Sequence, residues 1–166
     1  MNMMIYYGLS LLFATSISLQ SNVDQLRKNY LAASQDESIC KQEIERIKDS
    51  SGESPIEMAY HGAYHMLWAQ YLNAPLSKLN SFKKGKKLMD SALQKRYGDP
   101  EIHFLRLTIQ QHAPGILKYN TNIQEDVDQI TKHWESLPSA PVKKQVKDFL
   151  TSNQLLHDTQ LKKLQI

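Results

Sequence analysis

Cysteine is nearly missing from this chain, and charge is missing from its beginning. The one cysteine, Cys40, excludes an internal disulfide, so stability has to come from packing. The first twenty residues contain no Asp, Glu, Lys or Arg. The chain also has no Gly-rich phosphate loop and no G-x-S-x-G motif. An enzyme is therefore disfavoured, and the sequence predicts no catalytic residue and no cofactor.

The charge-free start predicts a secretory signal peptide over residues 1–18. Its apolar stretch is short for a membrane span, which takes about 20 apolar residues, and suits a leader. Ser16 and Ser18 are small residues at the −3 and −1 positions of a cut before Leu19, and a cut before Ile17 is an alternative. We therefore expect an exported, periplasmic protein. An uncleaved leader that tethers the protein to the inner membrane stays open, as does a first helix buried in the domain.

Beyond the leader, apolar residues recur at helical rather than alternating spacing. Residues 19–166 are predicted to form a single all-α domain of six to eight short antiparallel helices, with its core at about 54–137 and a frayed tail after 151. Ser54 and Pro55 are typical of a helix start. The helix that follows is apolar nearly all round, which predicts that it lies at the centre of the fold.

The next predicted helix, from Leu76 to Tyr97, is strongly basic, with Asp90 as its only acid. Gly85 lies on its inward stripe and predicts a close approach to a neighbouring helix. The lysines spread around the solvated side, so a face that keeps the protein soluble is one interpretation. Attachment of the segment Lys83–Lys87 to an anionic membrane surface or an acidic partner is the other. Nucleic acid is disfavoured, because no aromatic residues are interleaved to stack bases.

His61 and His65 lie one helical turn apart, which is a spacing that metal ligands use. The zinc-protease motif requires Glu directly after the first His, and Gly62 stands there instead. A third ligand would have to come from elsewhere, such as His103 or His112. The default interpretation is a pair of hydrogen-bonded histidines at a helix interface. A metal-dependent enzyme that uses His61 and His65 stays an alternative.

Three polar side chains, Arg106, Gln110 and Tyr119, lie among apolar residues near a proline break. A partly buried Arg106 needs an acidic partner, for which Glu101 and Asp126 are candidates. One interpretation is a structural polar network. The other is a binding groove, because a broken helix exposes backbone groups that can receive a ligand. In that case we expect the three side chains to contact the partner.

The hairpin from Ala59 to Leu107 resembles a tetratricopeptide (TPR) unit. Gly62 and small alanines on the packing face of one helix lead into the segment Phe82–Leu93, and a further helix begins at Asp99-Pro-Glu101. Repeats of this class form stacks of helical hairpins, and they usually need about three units for stability. The resemblance therefore implies a degenerate TPR-like stack.

A second set of residues covers roughly the middle half of the chain: Lys83–Leu88, Phe104–Gln110, Pro114, Leu117, Tyr119, Asn122–Ile123 and Glu125–Asp126. With these residues the chain resembles an uncharacterised family of small exported helical proteins from Gram-negative bacteria. This resemblance implies the fold and export, and it brings no catalytic residues. With the hairpin it favours a periplasmic interaction or scaffolding module, whose groove binds a protein or peptide partner of the cell envelope.

Overall fold

A computed structural model describes residues 10–48 and 54–164 of the chain. These residues are all-α, as predicted, and form eight α-helices and two short 3₁₀ turns, at Gly115–Leu117 and Trp134–Ser136. Residues 1–9 of the predicted leader lie outside the described part. The helices are α1 (Ser10–Ala33), α2 (Glu37–Ile47), α3 (Pro55–Tyr71), α4 (Pro75–Lys95), α5 (Pro100–His112), α6 (Ile123–Lys132), α7 (Ala140–Ser152) and α8 (Asp158–Lys163).

Short polar side chains start four of these helices. Asp36, Ser54, Asp99 and Ser139 stand directly before α2, α3, α5 and α7, and each accepts a hydrogen bond from a backbone N–H of the first turn. Such caps satisfy N–H groups that have no partner inside the helix. The predicted helix start at Ser54 is therefore confirmed.

Helix α3 lies at the centre of the fold, as its apolar circumference predicted. It packs against α1, α2, α4 and α5. Its closest neighbour is α4, which returns antiparallel to it. The two backbones touch at Gly62 and Gly85, where a Cβ on Gly62 would lie 2.7 Å from the carbonyl oxygen of Gly85 and 2.9 Å from the backbone nitrogen of Met89. The predicted close approach at Gly85 is confirmed.

Two apolar clusters make up the core. The larger is formed by α1 to α5, and the smaller by α5, α6 and α7. Helix α5 separates the two clusters, since Leu105 belongs to the larger cluster and Leu107 to the smaller one. The core thus extends beyond the segment 54–137 on both sides, because α1, α2 and α7 each bury an apolar stripe in it.

Buried carboxylates fasten α1 to three neighbouring helices. Each one accepts a hydrogen bond from a different polar side chain of α1, which compensates for the loss of water around the charge. Arg27 makes the strongest of these contacts, with two bonds of 2.8 and 2.9 Å to one carboxylate. The pairs are Asn22 with Glu57 of α3, Asn29 with Glu43 of α2, and Arg27 with Glu101 of α5.

Helix α6 is shorter than its apolar spacing indicates. Apolar residues at Ile123, Val127, Ile130, Trp134 and Leu137 fit one continuous helix, but α6 ends at Lys132 and a 3₁₀ turn follows at Trp134–Ser136. Pro138 keeps Leu137 out of a helix, because a proline disfavours helical geometry in the residue before it. Leu137 accordingly has extended backbone angles, and it still reaches the smaller apolar cluster.

Candidate binding surfaces

Two of the three predicted contact residues meet at one carboxylate. Asp126 lies in the first turn of α6 and is completely buried. Arg106 donates to it from Nε at 2.9 and 3.0 Å and from Nη2 at 2.6 Å. Gln110 donates to it from Nε2, and His103 lies 2.6 Å from it through Nδ1. Of the two candidate acids, Asp126 is therefore the partner of Arg106, whereas Glu101 pairs with Arg27.

The spacing along α5 explains this convergence. His103, Arg106 and Gln110 follow one another at intervals of three and four residues, so their side chains lie on one face of the helix. Gln110 also accepts a hydrogen bond of 2.8 Å from the backbone N–H of Asn122, the residue before α6. The amide of Gln110 thus bonds both to the first turn of α6 and to the residue that precedes it.

The polar groups of this cluster bond to one another. His103 lies between two acceptors, because Nε2 faces the carbonyl oxygen of Tyr97 and Nδ1 faces Asp126. A carbonyl only accepts, so Nε2 carries a hydrogen. The guanidinium of Arg106 lies 2.6 Å from Asp126 and 3.4 Å from Glu125. The positive charge of Arg106 is therefore already paired within the domain.

The rim of the cluster is held by Tyr97 and Glu125. The Tyr97 hydroxyl donates to Glu125 at 2.6 Å, and Arg106 Nη2 lies 3.4 Å from the same carboxylate. The hydrogen bond from Tyr97 lowers the pKa of Glu125. Burial by itself would lower the pKa of Arg106, but the hydrogen bonds and charge of Asp126 outweigh it and raise that pKa. Arg106 is thus held as a permanent internal cation.

Tyr119 does not join this cluster. Its ring packs edge-on against Phe82 of α4, with the ring centroids 5.3 Å apart, and Lys86 lies over its face. The ring is buried, and its hydroxyl has no hydrogen-bond partner among the described residues. Burial raises the pKa of this phenol. Tyr119 thus makes no hydrogen bond to the Asp126 cluster, and a partner contact by any of the three residues stays a prediction.

The histidine pair lies inside the protein. His61 and His65 are both buried on α3. Burial, with the charge of Lys84 next, lowers the pKa of His65 to about 4, so its ring is neutral near pH 7. No group of three or more His, Cys, Asp or Glu suited to a metal occurs among the described residues. His103 and His112, the candidate third ligands, bond to Asp126 and to the carbonyl oxygen of Thr108.

An open groove, which the sequence did not indicate, runs between α1 and α7. It is a shallow depression of about 460 Å³, widely open to solvent, and most of its surface is apolar. Leu31, Pro141 and Phe149 supply its apolar side chains, and Lys144 and Asp148 stand at its polar edge. Those two charges pair with each other at 2.6 Å. The groove thus has an apolar floor, and the two charged side chains at its edge pair with each other.

The two sides of the groove come from helices that pack into different apolar clusters. Leu31 belongs to α1, which packs into the larger cluster, and its side chain is 39 % exposed. Phe149 of α7 packs edge-on against Phe104 of the smaller cluster, with the centroids 5.6 Å apart. This floor is held in place by the core beneath it. Sequence periodicity could not have revealed it, because Leu31 and Phe149 are far apart in the chain.

Basic side chains lie on the exposed side of α4. Lys83, Lys84 and Lys87 are exposed, whereas Lys86 pairs with Asp90 at 2.6 Å. Within the described residues, no helix combines the length and hydropathy needed to cross a membrane. The basic segment is thus a solvated surface of the domain.

Comparison of the chain with protein-family models, with curated proteins and with solved structures found no match.

Proposed function

We propose that this protein is an exported interaction module that binds an apolar segment of another protein in the groove between α1 and α7. The groove is the observation that carries the proposal. Its volume lies within the range of ligand sites, but it is open along one side, which suits a peptide or a helix better than an enclosed small molecule. The TPR-like resemblance of the hairpin of α3 and α4 is part of this proposal, because stacked helical repeats also bind partners along an open surface.

The groove also limits the chemistry of the partner. Since Lys144 and Asp148 neutralise each other, neither attracts a charged segment strongly. The apolar side chains of Leu31, Pro141 and Phe149 would bury aliphatic or aromatic residues, as in other helix-in-groove complexes. We therefore propose an uncharged amphipathic segment of a cell-envelope protein as the partner.

Replacing Leu31 with serine is expected to weaken partner binding by roughly tenfold, because a serine buries almost no apolar surface. Ser152→Trp, which fills the groove instead of emptying it, is expected to have the same effect. Tagged variants are used to capture proteins from a cell-envelope extract, and the partner identified by mass spectrometry is then titrated against each variant.

Ile116→Ser is the matched control. Ile116 is 90 % exposed and lies outside the groove, so its loss removes as much apolar surface without touching the proposed site. The proposal requires a partner that Ile116→Ser retains and that both groove variants lose. Equal retention by all three variants would assign the captured protein to another surface. Arg106→Ala is unsuited to this test, because it disrupts the buried Asp126 cluster.

We further propose that the protein is exported and cleaved before Leu19. Such a cut lies within α1, and it retains Asn22, Arg27 and Asn29, which bond to the neighbouring helices. N-terminal sequencing of protein from a periplasmic fraction is expected to start at Leu19, or at Ile17 for the alternative cut. Intact protein that begins at Met1 and stays with the inner membrane would contradict cleavage and indicate a tether.

A further inference from the structure

Exposed apolar side chains lie on the first turns of α4 and on the loop that packs against this helix. Leu76 and Leu79 of its first turns are 68 % and 38 % exposed, and Ile116 is 90 % exposed on the 3₁₀ turn that follows α5. Tyr119, three residues after Ile116, packs on Phe82 of α4 and so holds this loop beside the helix. Three of the five large apolar side chains that are exposed among the described residues thus belong to one region.

Lysines without an acidic partner in the described part of the chain lie on the same helix and on the same loop. Lys83 and Lys87 follow Leu76 by seven and eleven residues, which places them on the same face of α4. With Lys84 of α4 and Lys118 of the loop, they have no acidic partner among the described residues. The region therefore carries positive charge that nothing within the described domain neutralises.

We propose that this region attaches the protein to an anionic phospholipid surface. Lysine amines near a bilayer gain energy from the negative headgroups, and apolar side chains next to them gain by entering the acyl boundary. The exposed Leu76 and Ile116 stand at a helix start and on a turn, and the described groove lies elsewhere, between α1 and α7. A bilayer accepts such side chains without a matching shape. The region binds as a peripheral contact, independently of the groove.

The test is co-sedimentation with vesicles. Protein with its native N-terminus is mixed with vesicles of phosphatidylcholine alone and with vesicles that also contain phosphatidylglycerol. We expect tighter binding to the anionic vesicles and a loss of that difference at high salt, because salt screens exposed charges. The triple variant K83Q/K84Q/K87Q is expected to bind the anionic vesicles roughly 100-fold more weakly.

A matched control changes three lysines elsewhere. The variant K143Q/K144Q/K147Q removes the same number of positive charges from α7, and it is expected to retain most of the binding to anionic vesicles. Equal losses in the two lysine variants would show a response to net charge alone and overturn the proposal. The variant L76S/L79S/I116S is expected to lose at least tenfold in affinity. If it binds as wild type does, no apolar side chain enters the bilayer and the proposal fails.

The vesicle and groove tests can fail separately. Leu31→Ser should leave vesicle binding unchanged, and K83Q/K84Q/K87Q should leave capture of the groove partner unchanged. Circular dichroism checks that each variant is folded, which is expected because all the altered side chains of α4 and the loop are exposed. If the wild-type protein binds to neither kind of vesicle, the membrane proposal is wrong.

Discussion

Replacing Arg106 with alanine is expected to lower the free energy of unfolding by about 4 kcal/mol. The change removes three close N···O contacts from Asp126, whose side chain is completely buried. A buried carboxylate that loses its cation stays in surroundings that solvate charge poorly, so the folded state bears the cost. Urea unfolding followed by far-ultraviolet circular dichroism measures the difference.

Arg96→Ala is the control for the loss of an arginine. Arg96 lies 3.4 Å from Asp99, but its side chain is 62 % exposed, so water replaces the lost contact. Its effect should stay below about 1 kcal/mol. Arg106→Ala and Asp126→Ala should also be non-additive, with the double variant less destabilised than the sum of the two. A loss for Arg106→Ala no larger than that for Arg96→Ala would refute the internal role of the cluster.

Replacing Gly85 with alanine is expected to cost about 3 kcal/mol of stability, even though alanine is the better helix former. The new Cβ would lie 2.6 Å from Cγ and 2.8 Å from the backbone nitrogen of Met66, and it would also overlap the carbonyl oxygen of Gly62. A side chain can rotate away, but two of these atoms belong to the backbone of α3. The helices must therefore separate, which disturbs the packing of the central hairpin.

Gly115→Ala is the matched control for Gly85→Ala. A Cβ at Gly115 would meet nothing within 4 Å, so its effect on stability should stay within about 0.5 kcal/mol. Thermal unfolding of the two variants, followed by circular dichroism, compares them directly. If the Gly85→Ala variant has the same melting temperature as the wild type, α3 and α4 do not touch at this position.

The internal role of Arg106 matters for the function proposed here. An Arg106→Ala variant that loses a partner would have lost the support of Asp126 as well, so the two causes could not be separated. Leu31 and Ile116 avoid this difficulty, because both side chains are exposed and neither takes part in the buried polar contacts. Variants at the surface therefore test binding, and variants in the buried cluster test stability.

The sequence alone determined the class of the fold and much of its local structure. Helical periodicity predicted an all-α protein, and the residues Ser54 and Asp99 located two helix starts correctly. The central position of α3 and the close contact at Gly85 were also predicted. These features depend on neighbours within a few residues or on the polarity of a whole helix face, and both can be read along the chain.

Tertiary structure decided which distant side chains meet. The sequence offered Arg106 two acids, and the packing of α6 against α5 brought Asp126 to it, while α1 delivered Arg27 to Glu101. Packing also placed the Tyr119 ring against Phe82 of α4. The groove between α1 and α7 and the apolar region beside α4 arise only when separate helices come together. Periodicity says which face a residue occupies, whereas the partner of that face is set by how the helices pack against one another.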